Sequence, residues 1–448
     1  MNHNRARSRP LSTTIACLVA LMVVLSLPWT AQIADAAVFA VNSPVDIVDA
    51  SPGDGICETA AGNHVCTLRA AVMEANALAG SDTIRLQAGV TYLLTSDTLV
   101  VTDCVDIVGA GAGGTIIDGN NAVLTMRIFN MARCQGGGEA CDTLHPENFV
   151  AISGLTLQHG GMLGMGGAIF NDANLTIDRC VLNQNGSNEQ GGAIYNMYSL
   201  TITNSTISDN KAGIFGLDVG GGGIYNASNL ILKNSTVVGN SAADGGGIYS
   251  DSQGGQLIVV NSTISGNASK GLGGGVYTHT KTAGFYNATI ASNKAGAGNI
   301  AAEAGGGIYN ATGRTLTFIN SIVANNQKIV PTGSFPLVQS DDCAGTLTSQ
   351  GHNIVRDIDS SHCTVLGAVL ISDPQLGLLQ DNGGPTFTHA LAWTSPALDA
   401  GNAGGCTDNL GAILTTDQRG ARRPDGAHCD IGAYEVVETI FEDGFETP

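Results

Sequence analysis

The 448 residues carry 38 Asp and Glu against 19 Lys and Arg, a net charge of −19, which excludes nucleic acid and anionic membrane as partners because both need a basic footprint. Charged residues are only 13% of the total, Gly occupies 61 positions, and the hydrophobic fraction of 43% is near the globular average. That combination suits tightly turning strands and argues against disorder.

The first 36 residues read as a targeting segment. Arg5, Arg7 and Arg9 precede an apolar run from Leu11 to Leu27, and Ala34-Asp-Ala36 is a small-residue cleavage box. The run is short for a membrane span of about 20 residues, so a removed signal peptide is expected, with no membrane-spanning segment left behind. Export accounts for the cysteines: Cys17 leaves with the leader and ten remain, an even number suited to an oxidising compartment. Close neighbours are expected to bond, Cys57 with Cys66, Cys134 with Cys141, Cys343 with Cys363 and Cys406 with Cys429. Cys104 and Cys180 are left as a long-range pair or two buried thiols. Structural zinc is not expected, since it calls for CxxC pairs or His at ligand spacing.

Residues 37–82 form a turn-rich N-terminal cap with one amphipathic helix over 67–78. Leu68, Ala71, Val72 and Ala75 follow the i, i+3, i+4, i+7 spacing, Thr67 can cap the start, and Gly80 stops it. Asp46, Asp49 and Asp54 in the preceding turns could hold Ca²⁺, though turn formation is the plainer role; no other cofactor is expected. From residue 83 the period switches to two, with strands at 83–86, 92–94, 99–101, 105–108 and 115–117. The helix is placed to cover the apolar end of the first coil.

A repeat then takes over. Gly167-Ala-Ile-Phe170, Gly192-Ala-Ile-Tyr195, Gly222-Gly-Ile-Tyr225, Gly246-Gly-Ile-Tyr249, Gly274-Gly-Val-Tyr277 and Gly306-Gly-Ile-Tyr309 recur every 24 to 32 residues. Between them run Asn204-Ser-Thr-Ile207, Asn234-Ser-Thr-Val237, Asn261-Ser-Thr-Ile264, Asn287-Ala-Thr-Ile290 and Asn320-Ser-Ile-Val323, each followed by another Asn: Asn210, Asn240, Asn267, Asn293 and Asn325. The period is too short for a propeller blade and fits one coil of a parallel β-helix with three short strands. Residues 83–372 are therefore expected to form ten to eleven coils, a body roughly 50 Å long at one strand spacing per coil. The Asn residues are read as amide ladders at equivalent turns; their match to the N-glycosylation pattern is taken as coincidence.

Two readings of the aromatic column remain open. Turned inward, the rings are a packed ladder; turned outward, Tyr195, Tyr225, Tyr249, Tyr277 and Tyr309 form a line that could bind a glycan, each followed by a polar residue. Inward packing is preferred. A catalytic site is not identifiable. Asp341 and Asp342 are adjacent, so their side chains point apart on an extended strand. His159, His279, His352 and His389 are scattered and read as surface or turn residues. Arg419, Arg422 and Arg423 with Asp417, Asp425 and Asp430 are read as ion pairs within a C-terminal cap at 373–436, followed by an acidic tail at 437–448.

These motifs resemble known bacterial ones. The Gly-Gly-Ala-Ile repeats with Ile207-Ser-Asp-Asn210 and Ile264-Ser-Gly-Asn267 resemble the repeats of polymorphic outer membrane proteins, with an aliphatic residue where that family has Phe. Cys66-Thr-Leu-Arg-Ala-Ala-Val-Met-Glu-Ala-Asn76 is similar to the CSLREA segment, and Asp381-Asn-Gly-Gly-Pro-Thr-Phe-Thr-His389, Asp417-Gln-Arg-Gly420 and Asp430-Ile-Gly-Ala-Tyr-Glu435 are similar to the choice-of-anchor Q domain. The resemblance implies an all-β, right-handed parallel β-helix with an N-terminal capping helix and a small C-terminal cap, exported to the cell surface or medium. The stretch after residue 372 is too short for a membrane barrel of twelve strands of roughly ten residues. The function expected is non-enzymatic adhesion or surface structure, by a monomer that binds polysaccharide or a cell-surface glycan. The alternative is a secreted polysaccharide lyase or glycoside hydrolase of the pectate-lyase-like superfamily.

Overall fold

The structure, a computed structural model, describes residues 36–78, 80–120, 126–132, 149–251, 254–296, 304–330, 332 and 335–437. Residues 1–35 of the leader, Cys134, Cys141 and all but the first residue of the acidic tail lie outside them. One coil shows how the repeat folds. Its strands are Ile194–Asn196, Ser199–Thr203, Thr206–Ser208 and Lys211–Ala212, so a two-residue fourth strand adds to the three expected. Each strand pairs in parallel with its counterpart one repeat on: Tyr195 opposite Tyr225, Leu200 opposite Leu230, Ile207 opposite Val237. The four strand positions define what we call the aromatic, leucine, threonine and short sheets. Among the described residues the threonine sheet has ten strands. The described pairings between strands are parallel except at Gln327–Val330 with Leu337–Ser340 and Leu376–Gln380 with Thr388–Leu391.

Alternation sends one set of side chains inward. Ile194, Ile224 and Ile248 from the aromatic sheet, Leu230 and Leu257 from the leucine sheet, and Ile207, Val237 and Ile264 from the threonine sheet are fully buried. In-register coils stack like on like, so the core is a set of aliphatic columns. The repeated Gly pair has a backbone cause. Gly221 sits at φ +76°, a left-handed turn, and a Cβ on Gly222 would stand 2.2 Å from the carbonyl oxygen of Gly246 on the next coil.

The Asn phrases divide into two jobs. Asn204, Asn234, Asn261, Asn287 and Asn320 take φ between 48° and 52°, turning the chain between the leucine and threonine sheets. The second set is a buried amide ladder. Asn185 donates through Nδ2 to Asn210 Oδ1, Asn210 to Asn240, Asn240 to Asn267, Asn267 to Asn293 and Asn293 to Asn326, at 2.9 to 3.0 Å. Each rung's backbone N–H also donates to the same oxygen, as from Asn240 to Asn267 at 3.0 Å. The rung is Asn326 rather than Asn325, which instead occupies the left-handed turn before it at φ 62°, where the other coils carry Asp209, Gly239, Gly266 and Ser292. Equivalent positions must keep the register, and only Asn326 does. The ladder ends on Asp342, whose Oδ1 accepts from Asn326 Nδ2 at 2.9 Å.

The helix runs Leu68–Ala77, with Thr67 Oγ1 accepting from Ala70 N at 3.0 Å, and buries Leu68, Ala71, Val72 and Ala75 as expected. Two charged residues are buried with them. Arg69 pairs with Asp46 at 2.6 Å, and Glu74 accepts the backbone N–H groups of Gly53 and Gly55, so the helix ties down the loop in front of it. Asp46, Asp49 and Asp54 are thereby accounted for separately: Asp46 also accepts Thr95 N and Ser96 N, Asp49 holds Ser51 N and Glu58 N, and Asp54 holds Ile56 N. Three of the expected disulfides are formed, Cys57–Cys66, Cys343–Cys363 and Cys406–Cys429, with Cα separations of 5.1, 5.5 and 6.0 Å. Cys104 and Cys180 are both buried and are not bonded to each other.

The C-terminal cap packs side-on, against the outer face of the threonine sheet. In Thr206–Ser208 the outward residues are partly exposed, whereas in Thr263–Ser265 and Ile322–Ala324 all three are buried. Polar bridges cross the seam: Thr263 Oγ1 donates to Gln418 Oε1 at 2.7 Å, Gln418 Nε2 to Thr236 Oγ1 at 2.9 Å, and Arg423 Nη1 to Asn261 Oδ1 at 3.1 Å. Further along, Ile322, Ala324 and Ile354 meet Leu391, Ala397 and Ile431 in a second apolar cluster. The ion pairs expected within the cap are partly re-partnered. Arg419 holds Asp417 at 2.7 Å, but the fully buried Arg423 holds Glu435 at 2.8 Å, and Asp430 accepts the backbone of Asp399 and Val436.

His389 is buried in the seam, contrary to its reading as a surface or turn residue. Its Nδ1 donates to Gly377 O at 2.7 Å, leaving Nε2 to accept from Ser265 Oγ at 2.8 Å, and burial pushes its pKa below 6.5. Because the folded pKa is the lower one, the stability this group supplies is fully present above pH 6.5 and is lost as pH falls below it. His389→Gln, which keeps a donor and an acceptor, should flatten the decline in Tm between pH 7.5 and 5. A variant whose Tm tracks the wild type across that range counts against the assignment.

Candidate ligand-binding face

The aromatic strand is Ile-Tyr-Asn, and its burial alternates buried, half-exposed, buried in Ile194–Asn196, Ile224–Asn226 and Ile308–Asn310. The preference for inward packing is therefore overturned. The neighbouring Ile and Asn both point into the coil, and a pleated strand must then turn the Tyr outward. The polar residues after each Tyr do not join a binding face either. Asn196 and Asn226 are fully buried, and Asn171 Nδ2 donates to Asn196 Oδ1 at 2.8 Å, Asn196 to Asn226 at 2.7 Å and Asn226 to Ser250 Oγ at 2.9 Å.

Outside, six rings stack in register from Phe170 through Tyr195, Tyr225, Tyr249 and Tyr277 to Tyr309. Centroids lie 5.5, 5.0, 5.1, 4.3 and 5.0 Å apart and the planes are within 15° of parallel. The guanidinium of Arg127 closes the Phe170 end, 5.0 Å from its centroid. This geometry fixes what the column can offer. A ring whose faces are covered by the rings above and below cannot also stack on a sugar, so the surface consists of ring edges and a row of hydroxyls. Burial pushes the hydroxyl pKa of Tyr195, Tyr249 and Tyr277 up, and that of Tyr225 to about 12, with the negative charge of Asp251 adding to each. The hydroxyls are thus held protonated and able to donate. Gly220 packs against one side of the column, where a Cβ would come within 2.4 Å of the Tyr249 ring.

At the hydroxyl edge stands a relay that sequence reasoning did not find. His279 Nδ1 donates to Asp251 Oδ1 at 3.0 Å while His279 Nε2 accepts from Arg314 Nη2 at 2.8 Å. A guanidinium can only donate, so the tautomer with the proton on Nδ1 is fixed. Only coil register brings these three residues together; nothing in their spacing announces it. His362 was likewise missed. It is buried with Asp341, Nε2 to Oδ1 2.7 Å, and beside it burial pushes the Asp342 carboxyl up to about 7. The two carboxylates do point apart: Asp341 Oδ2 accepts Gly305 N, and Asp342 serves the amide ladder. His159 bridges Asp118 and Gln184, and His352 contacts the carbonyl of Ala400. Among the described residues, no three His, Cys, Asp or Glu side chains converge as a metal site.

Residues 88–294 match the family of the right-handed beta helix region, and the fold is a right-handed parallel β-helix. Among solved structures, pectate lyase Pel9A is similar at 12% identity and a TM-score of 0.45, covering 90% of this chain and 97% of that one. The A-module of the mannuronan C-5 epimerase AlgE6 from Azotobacter vinelandii is similar at 14% identity and a TM-score of 0.29, covering 75% of this chain and 97% of the module. Among curated proteins, none matches.

Proposed function

We propose that this chain is exported and acts as a non-catalytic surface or secreted β-helix that binds an extended, uncharged polysaccharide along its aromatic sheet. The observation that carries this reading is the outward tyrosine column. One protonated hydroxyl per coil, on tyrosine rings whose centroids lie 4.3 to 5.1 Å apart, is a periodic array, and a periodic array suits a periodic polymer. Contacts that are weak singly add along the chain when successive units meet equivalent residues. A net charge of −19 with Asp251 at the hydroxyl edge opposes polyanions, so uronate polymers are poor candidates. Three disulfides suit an oxidising compartment outside the cytosol.

The charged side chains support binding over turnover. Asp251 is committed to His279, Arg423 to Glu435, Arg69 to Asp46 and Arg419 to Asp417, at separate places on the body. Incubating the protein with neutral linear glycans and with a polyuronate, while measuring bound polymer and released reducing or unsaturated ends in the same tubes, tests the proposal. Retention of a neutral polymer without new chain ends is expected. Release of product from any of them would establish the lyase or hydrolase alternative instead.

A further inference from the structure

Two acids at the start of the body are buried on neighbouring coils: Asp82 N donates to the carbonyl of Cys104, the residue after Asp103, at 3.2 Å. Asp82 is 0% and Asp103 2% exposed. Each holds one backbone N–H, Asp82 Oδ1 from Ala37 at 2.8 Å and Asp103 Oδ1 from Cys104 at 2.7 Å. The other oxygen of each, Asp82 Oδ2 and Asp103 Oδ2, is sealed from solvent without a hydrogen-bond partner. Burial raises both carboxyls, Asp103 to about 6, and the charge of Asp82 contributes to that rise. Such a pair is expensive to bury with both groups charged: either a carboxyl keeps its proton, or a cation with spare donors sits with them.

The donor already at the site is the nitrogen of Ala37, and it directly follows the cleavage box Ala34-Asp-Ala36. Ala37 is also fixed in place. Its carbonyl accepts Thr83 N at 2.8 Å, the next residues form the strand Val38–Ala40 beside Asp82–Arg85, and Phe39 and Val41 are buried. We infer that the mature chain begins at Ala37 and that its α-ammonium group is bound between Asp82 and Asp103. The step is peptide hydrolysis by a signal peptidase: water is consumed, Ala36 leaves with the leader as a carboxylate, and the nitrogen of Ala37 becomes an ammonium. One N–H donor thereby becomes three, with a positive charge, at an atom that need not move. Processing and closure of the first coil are coupled, because an uncleaved leader leaves both acids without their counter-ion.

This inference rests on the export reading, and whether the protein leaves the cell is scored separately from its terminus. The exported wild-type chain is recovered, its N-terminus read by mass spectrometry, and the acylation rate of its α-amine by an N-hydroxysuccinimide ester followed against pH. Burial without a partner would lower the amine's pKa, whereas a carboxylate pair raises it. The expected result is a terminus at Ala37 titrating at least one unit above the usual α-amino value of about 7.7 to 8.0, with acylation at neutral pH at least tenfold slower than in urea. In parallel, Asp82→Asn should lower Tm in a chain starting at Ala37, where it removes the ammonium's partner, and raise it in one that retains Ala36 and the residues before it, where it removes an uncompensated buried charge. A terminus elsewhere, a normal or lowered amine pKa, or an equal effect of Asp82→Asn in both chains overturns the assignment. The acylation profile uses the wild type, so it stands even where Asp82→Asn does not fold.

Discussion

Asn267→Ala is expected to lower the unfolding free energy by about 3 to 5 kcal/mol, among the largest effects available from one side chain in this body. The amide of Asn267 sits fully buried at the middle of the ladder. Its oxygen accepts from both the backbone and side-chain nitrogens of Asn240, and its Nδ2 donates to Val237 O, Ser265 O and Asn293 Oδ1. Alanine removes all of these at once and leaves donors and acceptors on three coils without partners, each costing about 1 to 3 kcal/mol before relaxation. Asn188, whose oxygen accepts a single exposed N–H from Phe215 at 3.2 Å, is the control; Asn188→Ala should change stability by less than about 1 kcal/mol. Chemical denaturation of both variants decides the point, and comparable losses at the two positions would mean the ladder contributes nothing special.

Gly246→Ala is expected to cost about 3 kcal/mol or more, through overpacking rather than lost contacts. A Cβ there would stand 2.4 Å from Ala268 O and 2.5 Å from Gly274 O, backbone atoms on the adjoining coil. Neither can retreat by changing a rotamer, so the coils must separate locally and stretch the parallel ladder. Gly113 has open space within 4 Å of its Cβ position and no positive φ, so Gly113→Ala should be neutral. The pair is compared by urea unfolding. A Gly246→Ala protein within about 1 kcal/mol of wild type would show that the coils are not held at this separation by backbone contact.

Much of this architecture was legible because a solenoid writes its geometry once per coil. The helix boundaries, the coil period and three disulfides followed from spacing alone. Register was harder. Asn325 and Asn326 are adjacent amides, and only the six-residue interval from Asn320, matching Asn204 to Asn210, selects the second as the rung. The facing of the tyrosine column was misread because half-buried aromatics suit either side of a strand. The deciding signal was the residue after each Tyr, a small polar group able to sit inside as a hydrogen-bonded rung. The side-on course of the C-terminal cap also left a trace. Where Thr206, Thr236, Thr263 and Thr289 stand outward on four successive coils, the next two carry Ile322 and Ile354, and it is there that the sheet meets Leu391 and Ile431. The Asp251–His279–Arg314 relay and the Asp341–His362 pair left none, since their partners come from different coils and turns.

A hydroxyl row is separable from the stack that carries it, and Tyr→Phe substitution separates them. Phenylalanine at 225, 249 and 277 preserves the rings, whose stacking contributes about 0.5 to 1.5 kcal/mol per pair beyond area burial, and removes three successive hydroxyls from the face. The measurement is the affinity of this triple variant for an insoluble neutral linear glycan by co-sedimentation, read beside its Tm. The expected result is binding at least tenfold weaker with Tm unchanged within error. Undiminished binding by a protein with wild-type Tm would contradict a polysaccharide face built on the tyrosine column.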